Sequence, residues 1–179
     1  MTTEIILLVG LPGSGKTYLI DQLQEESGEK YDVKEDWMLW DIWIQGKEPK
    51  GEFNTDPRYN EIIWNIKNNK SYIISSIRFC DHGFLTKAEY YLQSQFPNLE
   101  IKRIYFENNL ESSISNVKYR DAKKGHYWER NERGEMIYYG DHHKGIRGVD
   151  ISVENAERLS KEYIIPTKYK ALPIMVQNL

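Results

Sequence analysis

The chain holds a single cysteine, Cys80, in 179 residues. One thiol closes no internal disulfide and builds no cysteine zinc site, so a reducing, cytoplasmic setting is expected. Long apolar runs are missing too: the longest purely aliphatic stretch is Ile5 to Val9, far short of the roughly 20 residues that a membrane span needs. A basic start followed by an apolar stretch and a small-residue cleavage site is also absent, so neither a secretion signal nor a membrane partner is expected. There is no excess of positive charge. Lys and Arg number 24 against 27 Asp and Glu, a net −3, which argues against a generally basic nucleic-acid binder while leaving local patches open. Repeats, low-complexity tracts and Pro/Gly/Ser linkers are lacking, so one domain over 1–179 is expected.

What is present is an alternation of strand and helix patterns in a chain that is 40% hydrophobic and 28% charged, the balance of a globular protein. Glu4–Val9 reads as a buried strand. A helix follows from Lys16 to about Glu26, with Leu19, Ile20 and Leu23 on one face and Gly28 past its end. Tyr31–Val33 reads as a brief second strand, and Trp37–Gln45 is apolar at helical spacing. Asp56-Pro57 opens a helix with Tyr59, Ile62, Ile63 and Ile66 facing inward. Ser71–Ile77 is the third strand. Thr86-x-x-Glu89 is a capping-box pattern that predicts a helix to Phe96, stopped by Pro97. Glu100–Phe106 is the fourth strand, and Asn109 caps a helix ending at Gly125. Residues 127–150 form a polar, lid-like excursion. Ser152 predicts the start of a last helix to about Tyr163, and Leu172–Val176 an edge strand containing Pro173. Together these predict a three-layer α/β fold, with a central parallel sheet of about five strands and helices on both faces.

Gly10-Leu11-Pro12-Gly13-Ser14-Gly15-Lys16-Thr17 matches G-x-x-x-x-G-K-[ST] in full, with an apolar strand before it and an amphipathic helix after it. Each part of the pattern has a physical reason. Gly10, Gly13 and Gly15 let the backbone turn tightly so that successive N–H groups of the loop, which includes Ser14 as a nucleotide-binding residue, point into one concavity for phosphate oxygens. The helix N-terminus adds partial positive charge. Lys16 reaches the β- and γ-phosphates, and the Thr17 hydroxyl is a magnesium ligand. ATP and Mg²⁺ are therefore expected as ligands.

The loop leaves the fate of the γ-phosphate open. No strand ends in the aliphatic run plus Asp of a typical NTPase: the third ends Ile73-Ile74-Ser75-Ser76, with Ser76 in the acid's place. No Thr-Lys-x-Asp or Asn-Lys-x-Asp segment reads guanine, which favours ATP over GTP. The second strand leads into Lys34-Glu35-Asp36-Trp37, and the carboxyl end of that strand lies near the phosphate site in a parallel sheet. Asp36 is the candidate general base for an acceptor hydroxyl, with Glu35 and Asp32 as reserves. Arg120 and Lys124 stand four apart on one helical face. The segment beyond them carries Arg130, Arg133, Lys144 and Arg147, the composition of a basic lid that neutralises the moving phosphoryl group and excludes water.

These residues, the loop Gly10–Thr17, the acid after the second strand and Arg120 with Lys124 before a lid, resemble the kinase domain of phage-type polynucleotide kinases, a family of small P-loop kinases. The resemblance extends to Ile151-Ser152-Val153 opening a helix that runs to Lys161-Glu162-Tyr163. It implies phosphate and magnesium binding by Lys16 and Thr17, a general base at Asp36, and lid-side cations at Arg120 and Lys124. It also implies a nucleic-acid 5′ end or nucleoside as acceptor. Two positions depart from that pattern. Met38 and Leu39 stand where an acceptor-binding arginine belongs, and Ser76 replaces an aspartate, with Arg78 and Asp81 as substitutes nearby.

Two further readings stay open: a small-metabolite or nucleotide kinase on the same fold, and an ATP-binding switch that hydrolyses slowly and works through a partner. Trp37, Trp40 and Trp43 offer base-stacking surfaces but suit core packing better. Asp141, His142 and His143 lack further ligands at metal spacing and read as a solvated loop. Asp81 and His82 follow the third strand, either facing the acceptor cleft or in a plain loop. Cys80 reads as a small buried apolar residue.

Overall fold

Strand β1 (Glu4–Val9) is buried along its whole length. Ile5, Leu7 and Val9 enter one apolar layer and Ile6 and Leu8 the other, the alternation of a strand covered on both faces. A computed structural model describes residues 3–35, 64–124, 127–130, 136–139 and 148–177. Of positions 35, 91, 95, 121–124, 127–130, 136–139, 148 and 149 it describes the backbone alone. β1 pairs in parallel with β3 (Ser71–Ser75) on one side and β4 (Glu100–Tyr105) on the other, and β2 (Tyr31–Glu35) lies outside β3. The order is β2-β3-β1-β4.

Right-handed crossovers from β1 to β2 and from β3 to β4 travel in opposite directions across this sheet, so their helices belong on opposite faces. The packing agrees. Helix α1 (Lys16–Ser27) sets Leu19, Ile20 and Leu23 against Ile6, Leu8 and Ile73. Helix α2 (His82–Gln95) sets Leu85, Ala88 and Leu92 in the layer of Ile5, Leu7, Ile74 and Tyr105. Helix α3 (Leu110–Lys124) packs on α4 (Gly148–Ser160), whose Leu159 joins the α2 layer with Tyr163 just beyond it. Strands β5 (Tyr127–Arg130) and β6 (Met136–Tyr139) pair antiparallel.

Several expectations are corrected. The described residues form a four-stranded parallel sheet, not one of about five. The segment expected as an edge strand contributes one bridge, in which the Leu172 amide donates to the Tyr105 carbonyl at 2.7 Å and the Glu107 amide to that of Leu172 at 2.9 Å. Beyond it the backbone turns to the Asn116 side chain, which takes the place of further ladder bonds. Helix α2 starts at His82, four residues before Thr86, because Asp81 Oδ1 accepts from the amides of Gly83 (2.8 Å) and Phe84 (3.1 Å). Glu89 serves no cap there; it pairs with Arg103 of β4. Helix α4 begins at Gly148, not at Ser152, and the polar excursion contains the β5–β6 hairpin. The helices expected over Trp37–Gln45 and from Asp56-Pro57, with Tyr59, Ile62 and Ile63, lie outside the described residues. A helical turn over 64–67 buries Ile66 as expected.

At the amino end of β1 the buried Glu4 carboxylate gathers Lys102 (2.5 Å), Tyr31 (2.6 Å) and Lys30 (3.3 Å). Burial alone would raise its pKa, but these hydrogen bonds override that and pull it down to about 2. Among the described residues, no helix is long and apolar enough to cross a membrane.

Candidate phosphate-binding site

At the opposite pole, the chain leaving β1 forms the turn Gly10–Gly15 under the end of β4. A side chain at Gly10 would place Cβ 2.5 Å from Ser14 Oγ and 3.0 Å from Phe106 Cβ. At Gly13, where φ is +79°, Cβ would lie 2.3 Å from the Ser113 carbonyl oxygen and 3.0 Å from Val117 Cγ2 of α3. Gly15, at φ +101°, meets nothing closer than 3.7 Å, so its backbone angle alone demands glycine. The loop is thus pressed between β4 and α3, and a Ser14 amide bond to the Leu11 carbonyl (3.1 Å) closes it.

The start of α1 lies open above this loop. Its first helical bond runs from the Leu19 amide to the Gly15 carbonyl at 3.0 Å, so the amides of the first turn precede any intrahelical acceptor. No side chain caps this end, and its first turn carries no acid. The other helices supply their own negative charge: Asp81 for α2, Asn109 Oδ1 (3.0 Å to the Ser112 amide) with Glu111 for α3, and Asp150 for α4. Lys16 folds back, its ammonium donating to the Gly10 and Leu11 carbonyls, both at 2.8 Å. Thr17 is exposed on the first turn. The hydroxyls of Ser14 and Ser113 are buried beside the loop with no protein partner.

Helix α3 turns one stripe toward the loop. Ser113 and Val117 back Gly13, and Asn116 Nδ2 donates to the Gly13 carbonyl at 2.9 Å. Arg120, one turn further on the same stripe, is exposed. Lys124 is the last residue of the helix.

The acidic candidates separate. Asp36 lies outside the described residues, as do Met38, Leu39, the three tryptophans and Asp141-His142-His143. Glu35 closes β2 opposite Ser75, at the same edge of the sheet as the loop. Asp32 sits in register with Tyr72, toward the amino end, and its carboxylate holds the Lys70 ammonium at 2.8 Å; it is not a reserve base. Ser76 is buried, and its hydroxyl accepts from the Arg78 amide at 3.1 Å to cap the 3₁₀ turn Ile77–Cys80. Asp81 caps α2 through Oδ1, and His82 is the first residue of that helix rather than part of a loop. Cys80 is a buried core residue. Among the described residues, no three His, Cys, Asp or Glu side chains cluster at metal-binding range.

Two residues that frame the site were not singled out from the sequence. Tyr163, after α4, sets its hydroxyl 2.5 Å from the Phe106 carbonyl and 3.0 Å from that of Val9, joining the ends of β4 and β1. Burial pushes its pKa well above the ordinary tyrosine value, so the hydroxyl stays a donor. Asn116 is the other. Neither has a local pattern, because each partner lies more than 50 positions away in the chain.

No protein-family model matches this chain. No curated protein matches it either. Among solved structures, one described as "Crystal structure of APE1195" aligns over 92% of this chain and 98% of its own at 19% identity, with a TM-score of 0.39, a likeness too weak to carry an argument.

Proposed function

We propose that the chain is an ATP- and magnesium-dependent kinase that transfers the γ-phosphate to a hydroxyl acceptor, a polynucleotide 5′ end or a nucleoside-type group. The observation that carries this reading is the start of α1. A complete G-x-x-x-x-G-K-T sequence occupies a turn with two left-handed glycines and opens a helix whose N-terminus has neither cap nor acid. Such an end lacks its anion, and a phosphate group supplies it.

The residues present suit both ligands. The orphaned Ser14 hydroxyl and the first-turn amides are donors for phosphate oxygens, and the exposed Thr17 hydroxyl suits a cation that keeps most of its ligands as water and phosphate. Magnesium would supply charge neutralisation on the phosphates. Lys16 exchanges its bonds to the Gly10 and Leu11 carbonyls for phosphate oxygens. Asp36, or Glu35 at the edge of β2, takes the proton as the acceptor oxygen bonds phosphorus and the bond to ADP breaks. Arg120, with Lys124 one turn on, balances the charge of the moving group.

The test is labelled ATP with magnesium against oligonucleotides bearing 5′-hydroxyls, nucleosides and nucleotides. Label on a hydroxyl acceptor is the expected result, and Asp36→Asn lowers that turnover roughly 10²–10⁴-fold with ATP affinity nearly intact. Label released only as inorganic phosphate overturns the kinase reading.

A further inference from the structure

Glycine at position 13 leaves open a choice that the loop's own bond, from the Ser14 amide to the Leu11 carbonyl, makes at one end only. A left-handed glycine tolerates either orientation of the following peptide. The two orientations are opposite for an anion, since a planar peptide points its carbonyl and its amide in opposite directions. In one, the Gly13 carbonyl faces away from the phosphate site; in the other it aims partial negative charge toward it.

The Gly13–Ser14 peptide is pinned at both ends. Its amide donates to the Leu11 carbonyl at 3.1 Å, and its carbonyl accepts from Asn116 Nδ2 at 2.9 Å. The second Nδ2 hydrogen goes to the Met175 carbonyl at 2.9 Å, and Oδ1 accepts from the Gln177 amide at 2.8 Å. Two carbonyl acceptors on one side and one amide donor on the other fix which end of the side chain is nitrogen. Asn116 therefore joins the loop to the C-terminal segment 175–177 through three bonds, and that segment is anchored to the end of β4 through Leu172.

We infer that Asn116 is a positioning residue for phosphate binding: together with the Ser14–Leu11 bond it holds the peptide orientation at Gly13 that keeps the carbonyl out of the site, and residues 175–177 brace it. This role rests on the nucleotide reading above. Asn116 touches no phosphate; it acts through Gly13. The brace makes the end of the chain part of the site's rigidity, although Met175 and Val176 are themselves exposed.

The experiment uses the full chain and magnesium-ADP as the probe, with calorimetric affinity, thermal midpoint and amide exchange of the ligand-free loop as readouts. Asn116→Ala should weaken magnesium-ADP roughly 3- to 10-fold, the range for one hydrogen bond. Asn116→Asp should weaken it more, because a carboxylate faces two carbonyls and adds negative charge near the phosphates. Gln177→Pro leaves Asn116 in place and removes the donor to its Oδ1, at the cost of fixing φ at 177. A smaller loss of affinity there, with the midpoint unchanged and faster exchange at residues 13–15, is the signature of bracing that mere destabilisation does not give. If wild type binds and Asn116→Ala and Gln177→Pro both bind within twofold of it, the positioning role is wrong and the nucleotide reading stands. If wild type binds no magnesium nucleotide, the nucleotide reading fails and this role falls with it.

Discussion

The Tyr163 hydroxyl lies 2.5 Å from the Phe106 carbonyl oxygen, at the end of β4, and reaches the Val9 carbonyl at the end of β1 from the same point. Val9 has a second donor, the Phe106 amide at 2.8 Å. Removing the hydroxyl therefore costs chiefly the bond to Phe106. Tyr163→Phe should lower unfolding stability by about 1–2 kcal/mol, read as a lower urea midpoint with an unchanged slope.

Gly13 and Gly28 share a left-handed backbone but differ in surroundings. At Gly28, which ends α1 at φ +64°, an added Cβ meets nothing within 4 Å, whereas at Gly13 it meets the Ser113 carbonyl. Gly28→Ala should therefore cost only the angular strain, about 1–2 kcal/mol. Gly13→Ala should cost more, because α3 or the loop must move as well. Equal losses in chemical denaturation would show that the loop yields without strain.

Lys16 is half-buried and bonded to two loop carbonyls, but it belongs to neither apolar layer. Lys16→Ala should reduce ATP-dependent turnover at least about 100-fold while the unfolding midpoint shifts little. Near-normal turnover in a folded variant would remove the lysine from phosphate binding.

Glu4 makes stability depend on pH. Its carboxyl falls from an ordinary 4.5 to about 2 in the folded chain. The stabilisation is then complete above pH 4.5 and is lost as pH drops from there toward 2. With water screening the half-exposed lysines, its size is on the order of 2 kcal/mol. Glu4→Gln should flatten the acid limb of a stability–pH curve measured by denaturation, and an unchanged limb would assign the acid sensitivity to other carboxylates.

The sequence was most legible where one element satisfied its own pattern. The run Ile5–Val9 has no alternative to a doubly covered strand, and Gly28 ends α1 where the helical face runs out. It misled where two patterns competed. Thr86 and Glu89 have capping-box spacing, but Asp81 reaches the helix first and Glu89 finds Arg103 across the sheet. Asp32 and Glu35 are three residues apart and equally acidic in sequence. Strand direction alone sends one to the far edge and keeps the other at the site edge, a distinction that appears once β2 is paired with β3. Asn116 had no signal, because its meaning depends on three partners, one 103 positions before it and two 59 and 61 positions after it.

Those separations have a consequence for a chain emerging from a ribosome. The strands and helices near the amino terminus exit first, yet the Val9 carbonyl waits for a hydroxyl 154 residues later, and Asn116 waits for Gln177. Contacts of such span close late in folding. The turn after β1, among the first segments to be synthesised, is among the last to receive its full set of bonds, so a chain cut short before residue 177 would carry the whole motif without all of the bonds that shape it.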